Sequence, residues 1–200
     1  MSTPFFFIFN PNTGEILRSV SCDPATAELQ TLPGESIIIA APNTHGSDYY
    51  IDTVSLVQTQ IPARPSEAHI WNWVTKQWVY DIDLGRSQVS ARIKAARDSM
   101  EFGPFPCDGN VFDGDAVSRS RLGVALEGAK EAIAAGDTAW TKPWKLANNT
   151  AITLTAPELL DVVRAHGDNM EQAHVTAAIL AYFIDTATTP EELEAIQWPT

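Results

Sequence analysis

Apolar positions follow two different periods along this chain, and the period changes near residue 84. Before that point, β-branched and aromatic residues stand in short runs cut by turn residues, the pattern of a sheet of short strands. "FFFIF" and "ILRSVSC" flank "NPNTGE", which predicts a hairpin, and "ESIIIAA" and "DYYIDTVSLVQTQI" predict further strands. In "DPATAELQTL", Asp23 stands as an N-cap with Pro24 at the first helical position, so one short helix is expected among the strands. "IPARPS" reads as a linker, because Pro62 and Pro65 lack backbone donors and push Ile61 and Arg64 toward extended geometry. "HIWNWVTKQWVY" then places Trp71, Trp73, Trp78 and Tyr80 at alternating positions on either side of a polar turn, so one face of a hairpin is expected to carry the aromatics.

After the change the spacing is helical. Val89, Ile93, Ala96 and Met100 recur at four, three and four, which predicts an amphipathic helix running to the "FGPFP" break. A second helix is expected after Asp115, with Leu122, Leu126, Ala129 and Ile133 on one stripe and Gly136 as its left-handed cap. "PWKLANNTAITL" reads as two short strands joined at Asn148 and Asn149, residues that tolerate positive φ. "TAPE", Thr155 to Glu158, is a capping box, and Leu159, Val163, Met170, Ala177 and Ile184 continue one stripe to about Asp185. Such a helix is roughly 45 Å long unless Gly167 breaks it. A second box, Thr189 to Glu192, opens a short terminal helix with Leu193 and Ile196 inward. The expected class is therefore α+β: a small antiparallel β domain over residues 1–83, ending in the tryptophan hairpin, and a mainly helical domain over 84–200 with two short hairpins.

Composition changes this picture in one respect. A formal charge of −12 and a pI near 4.6 oppose binding to nucleic acid or anionic lipid. "PFFFIF" is too short to span a bilayer and lacks the basic flank of a signal peptide, so it is read as a buried strand. Cys22 and Cys107 match no metal-ligand spacing and are read as reduced thiols of a protein made in the cytoplasm.

The stretch "CDGNVFDGDAVSRSRL" invites a calcium-loop reading, which needs oxygen ligands at alternate positions and a late bidentate glutamate. Counted from Asp108, the fifth position is Phe112 and the twelfth Arg119; counted from Asp113, the third is Asp115 but the fifth is Val117 and the twelfth Val124. Both registers fail. A structural account uses every residue: "DGN" turns between strands holding Phe105 and Phe112, Gly114 redirects the chain, and Asp115 caps the next helix. Arg119 and Arg121 stand in that helix's first turns, where its dipole disfavours cations, so pairing with carboxylates is expected, Asp113 and Asp115 being nearest.

His166 and His174 are eight apart, too far for one metal at i, i+4, and are read as core or interface histidines; His45 and His69 stand alone. Neither a G-x-S-x-G nucleophile turn nor a glycine-rich phosphate loop is present. Trp71, Trp73 and Trp78 could stack a sugar or base, but alternating strand aromatics more often pack on their own domain. No catalytic residue, metal ligand or cofactor is assigned.

The runs "IKAARDSMEFGPFPCDGNVFDGDAVSRSRLGVAL", "WKLANNTAITLTAPELLDVV" and "TATTPEELEAIQW" together resemble a C-terminal domain of unknown function found in tail and tail fibre assembly proteins of tailed bacteriophages. Roughly the last 110 residues carry the likeness. "NPNTGEILRSV" and the tryptophan hairpin are more loosely similar to the β-rich leaders of such proteins. The resemblance brings no catalytic residues. It implies a non-enzymatic component or adaptor of the tail fibre or baseplate, located in the virion tail and working by association with fibre or baseplate proteins. A fibre assembly chaperone is the alternative, and a glycan-active enzyme a remote one. Neither nucleic acid nor a membrane is an expected partner, and a homo-oligomer is compatible with the reading. Trp71, Trp73, Trp78 and Tyr80 are the first candidate contact residues, with Phe105 and Phe112 second, because aromatics dominate anchoring at interfaces. Asp115, Thr155, Glu158, Thr189 and Glu192 are the expected structural caps.

Overall fold

The computed structural model describes residues 3–42 and 44–199. The chain is α+β, with small antiparallel sheets followed by helices, and divides into two units, Met1–Asp81 and Ile82–Thr200.

In the first unit, β1 (Phe5–Phe9) lies between β2 (Ile16–Ser21) and β3 (Ser36–Ile39), antiparallel to both. The uninterrupted apolar run follows from this place: Phe6, Phe7, Ile8 and Phe9 are all buried, so both faces of the central strand are covered. A 3-10 helix, Pro24–Gln30, opens on Asp23, whose carboxylate accepts from Ala25 N at 2.8 Å. The hairpin of β4 (Tyr49–Ile51) and β5 (Gln58–Gln60) joins the sheet through Gly14, whose carbonyl accepts from Ile51 N at 2.9 Å. A Cβ on Gly14 would stand 1.9 Å from the Ile51 oxygen, and its φ is +67°, so only glycine permits this approach.

The tryptophan hairpin is β6 (His69–Asn72) and β7 (Gln77–Tyr80), with Trp71 opposite Trp78 and His69 opposite Tyr80. The expectation for "IPARPS" is corrected: it lies inside the first unit and not at the division. Its polar groups are held by the hairpin, since Trp78 Nε1 donates to the Pro62 carbonyl at 2.8 Å and Arg64 Nε to the His69 carbonyl at 2.7 Å.

The second unit begins with α1 (Ile82–Glu101), followed by a hairpin of β8 (Phe105–Cys107) and β9 (Asn110–Phe112), then α2 (Ala116–Ala135). A second hairpin, β10 (Thr141–Lys145) and β11 (Ala151–Thr155), leads into α3 (Ala156–Thr186) and the short α4 (Pro190–Ala195). α3 passes through Gly167 without a break, and its 31 residues make it about 46 Å long.

Two expected stripes are corrected. On α2 the buried face is Ser118, Leu122, Ala125, Ala129 and Ala132, while Ile133 is exposed. Three alanines let the helix approach α3 closely, which a seam of leucine and isoleucine would have prevented. On α3 the buried residues of the first half are Leu159, Val162 and His166, so the seam is turned one position from the expected Val163 and admits a histidine.

α1 and α2 divide α3 between them. Leu122, Ala125 and Ala129 of α2 share a core with Leu159 and Val162. α1 runs antiparallel along the other half: Asn169 Nδ2 donates to the Met100 carbonyl at 2.9 Å, and Arg86 donates to the Ala187 carbonyl at 2.8 Å. α4 closes that end, with Leu193 and Ile196 buried and Arg92 donating to the Ile196 carbonyl at 2.6 Å.

Candidate functional site

The acidic stretch builds a joint. Asp108 and Gly109 take φ of +47° and +72°, the geometry of a two-residue hairpin turn, and so bring Phe105 opposite Phe112. Those rings stack at 5.8 Å and are essentially inaccessible, at 0% and 2% exposure. Their place as second-rank contact residues is therefore corrected: they anchor the core between the hairpin and α3, and a partner cannot reach them. Gly114 is buried, and a Cβ there would meet the Gly103 oxygen at 2.2 Å, so the two glycines cross backbone on backbone. Asp115 Oδ1 accepts from Ser118 N at 2.7 Å, and that donor holds its carboxyl below the ordinary range.

The other caps lie at the starts of α3 and α4. Glu158 accepts from Thr155 N and from its hydroxyl, each at 2.7 Å. Glu192 accepts from Thr188 N at 2.6 Å, while Glu192 N donates to the Thr189 hydroxyl at 3.2 Å. Both carboxyls are held low by these donors.

Where α1 ends and α2 begins, a polar group sits against the middle of α3. Glu101 takes Arg119 at 3.5 Å and His174 at 3.1 Å. The Arg119 guanidinium also lies 5.0 Å over the Phe102 ring and 3.2 Å from Met170 Sδ. The expected pairing of Arg119 with Asp113 or Asp115 is thus corrected, since the fold brings Glu101 to it from another helix. His166 is buried edge-on to Phe105 at 4.9 Å, and burial, with Arg119 nearby, lowers its pKa. Among the described residues no cluster of three or more His, Cys, Asp or Glu is placed to hold a metal ion.

Trp71, Trp73, Trp78 and Tyr80 are half-buried in the first unit. Trp71 meets Trp78 at 5.3 Å, Trp73 at 6.3 Å and Tyr50 at 5.9 Å. Lys76 covers Tyr50, its ammonium 4.9 Å above the ring, and donates to the Trp73 carbonyl at 2.7 Å. Desolvation lowers the pKa of this lysine. Ile70 and Val79 point to the opposite, exposed face.

Two surfaces of the second unit escaped sequence reading. One is a ridge on the C-terminal half of α3: Val175, Ile179, Tyr182 and Phe183 are each at least half exposed. At 100° per residue the first three stand about half a turn from Ala173, Ala177 and Ile184, the side that packs. The signal was present, because the same face reads Asp161, Arg164 and Asp168 in the first half and becomes apolar at Val175. A cavity of about 560 Å³ between Phe183 and Ile196 adjoins it. The other surface is a groove of about 540 Å³ between α2 and β10, walled by Val117, Val124 and Trp144 and rimmed by Arg121, Lys142 and Lys145. No helix among the described residues is long and apolar enough to cross a membrane.

A family model described as "Domain of unknown function (DUF4376)" matches residues 85–197, from the first turn of α1 to just beyond α4. The chain belongs to the DUF4376 family. The matched span takes in both surfaces, the joint and the polar group at the middle of α3. Neither a curated protein nor a solved structure matches the chain.

Proposed function

We propose that this DUF4376 protein is a non-enzymatic component of a bacteriophage tail, an adaptor that works by associating with tail fibre or baseplate proteins. The phage assignment rests on the ordered motif series that resembles tail and tail fibre assembly proteins, and the family match falls on the same part of the chain. The observation that carries association is the apolar ridge on α3. A helix that already buries one face against α1 gains nothing in water from a second apolar face unless something covers it. The acids meanwhile are engaged with backbone, Asp115, Glu158 and Glu192 each accepting at a helix start. Labelled antibody on intact particles of the phage that encodes the chain tests the reading. Tail-localised label is expected; absence from purified virions overturns it.

The same ridge favours a second reading, an assembly chaperone that leaves before the particle is complete. An apolar strip on a strongly acidic chain suits holding an unfinished fibre in solution. Co-expression separates the two, because a fibre that is equally soluble and trimeric without this chain eliminates the chaperone.

A further inference from the structure

We infer that the second unit associates head to tail with further copies of itself, the α3 ridge of one copy seated in the α2–β10 groove of the next. This deepens the reading of an association protein by naming one partner, a second copy of the chain.

The argument is one of complementarity. After Arg164 the sequence holds no lysine or arginine and six acids, so the half of α3 that bears the ridge and α4 carry only negative charge of their own, Arg86 and Arg92 of α1 being taken up by the Ala187 and Ile196 carbonyls on the packed side. Residues 116–145 hold five cations and three acids and are locally positive in a chain whose net charge is −12. Among the described residues, the cations of this unit mostly have partners. Arg86, Arg97, Arg119, Lys130 and Arg164 pair with carboxylates, and Arg92 donates to a carbonyl. The side chains of Lys94, Arg121, Lys142 and Lys145 make neither an ion pair within 4 Å nor a hydrogen bond, and three of these four rim one groove, where Arg121 also feels the Asp115 carboxylate. Asp113 and Asp115 also line it, so three cations stand against two carboxylates and the groove keeps one net positive charge. Apolar content matches as well: Val124, 76% exposed, stands in the groove wall, and Tyr182, 65% exposed, crowns the ridge between Glu171 and Asp185.

One copy cannot satisfy both surfaces. α2 packs on the first half of α3, the ridge occupies the second half, and the helix between them is continuous. The contact therefore falls between molecules, and in the head-to-tail arrangement each copy offers one ridge and one groove, so the contact repeats into a ring or an open chain. From Val175 to Thr186 the ridge is about 18 Å long, small beside the patch of a permanent interface, so each contact is weak and forms at high concentration. Salt weakens it further by screening the rim cations.

Sedimentation velocity on the full chain, from about 10 µM to about 1 mM, reads the assembly. A ladder of dimer, trimer and larger species is expected, shrinking in high salt. I179E/Y182E removes the ridge and V124E/K142E the groove; the four positions are exposed, so each variant is expected to keep wild-type helical circular dichroism and to run as a monomer. Mixed in equal amounts, the two variants retain one intact ridge and one intact groove and are expected to stop at a dimer. If V124E/K142E loses helicity, K142E/K145E reads the same face. A wild type that stays monomeric overturns the inference while leaving the virion labelling result standing. A dimer untouched by the groove variants, or a mixture that stays monomeric, overturns it equally.

Discussion

Truncating Phe105 to alanine tests whether the aromatic hairpin is core or contact. The ring is fully inaccessible, stacked on Phe112 at 5.8 Å and edge-on to His166 at 4.9 Å, with Leu159 and Val162 in the same cluster. Removing a buried phenyl group costs about 3–5 kcal/mol, the lost transfer energy plus that of the cavity left behind. Unfolding a unit of about 120 residues releases about 0.25 kcal/mol/K near the midpoint, from about 2.1 cal/mol/K per residue. The melting temperature should therefore fall by about 12–20 °C. The four α-helices among the described residues belong to the second unit, so thermal melting followed by helical circular dichroism reports this unit selectively. A shift of only a few degrees would refute the core assignment, because an exposed contact residue costs about 0.5 kcal/mol or less when truncated.

G114A should destabilise the second unit by about 1–3 kcal/mol, since the added methyl would meet the Gly103 oxygen at 2.2 Å; chemical denaturation of the variant measures it. Glu158 and Glu192 have folded pKa values below their ordinary ones, so the folded chain binds fewer protons than the unfolded chain in that window. Their contribution is full above the unfolded carboxylate pKa and is lost as pH falls through the folded one; E158Q/E192Q should flatten the acid limb of a melting-temperature profile. His166 is also depressed, by burial, so it contributes stability above the ordinary imidazole pKa that is lost as pH falls through its lower folded value. H166F should reduce the slope of stability against pH below about 6.5, and an unchanged slope would show that folding does not lower this group.

Elements with a local cause were legible. The capping acids, the left-handed Gly136 and the Asp108–Gly109 turn are set within four residues of sequence, and the structure holds them where short-range rules put them. Failures came where a distant element decides. Arg119 found Glu101, 18 residues back, because the joint folds the end of α1 onto the start of α2. "IPARPS" has the composition of a linker, yet its carbonyls and guanidinium bind the hairpin that follows it. The seam of α2 runs through alanines because α3 is close, and no periodicity within α2 alone distinguishes Ala125 and Ala132 from Leu126 and Ile133.

The joint that mimics a metal loop also sets where α1 and α2 lie along α3. Because β8 and β9 reverse the chain within a few residues, α2 starts beside the point on α3 where α1 ends, and Glu101 and Arg119 meet there. Two helices of 20 residues are thereby laid end to end along one of 31. Each covers only half of it, and both pack on the same side; the opposite side is open along the whole helix, polar at Asp161, Arg164 and Asp168 and apolar from Val175 onward, where it forms the ridge. A joint built to ligate an ion would have held its acids inward; here Asp108 lies in the turn and Asp115 on the helix start, and the direction they give the chain is their contribution. Substitutions in the joint should consequently loosen both α1 and α2 from α3, whereas substitutions on either surface leave the joint intact.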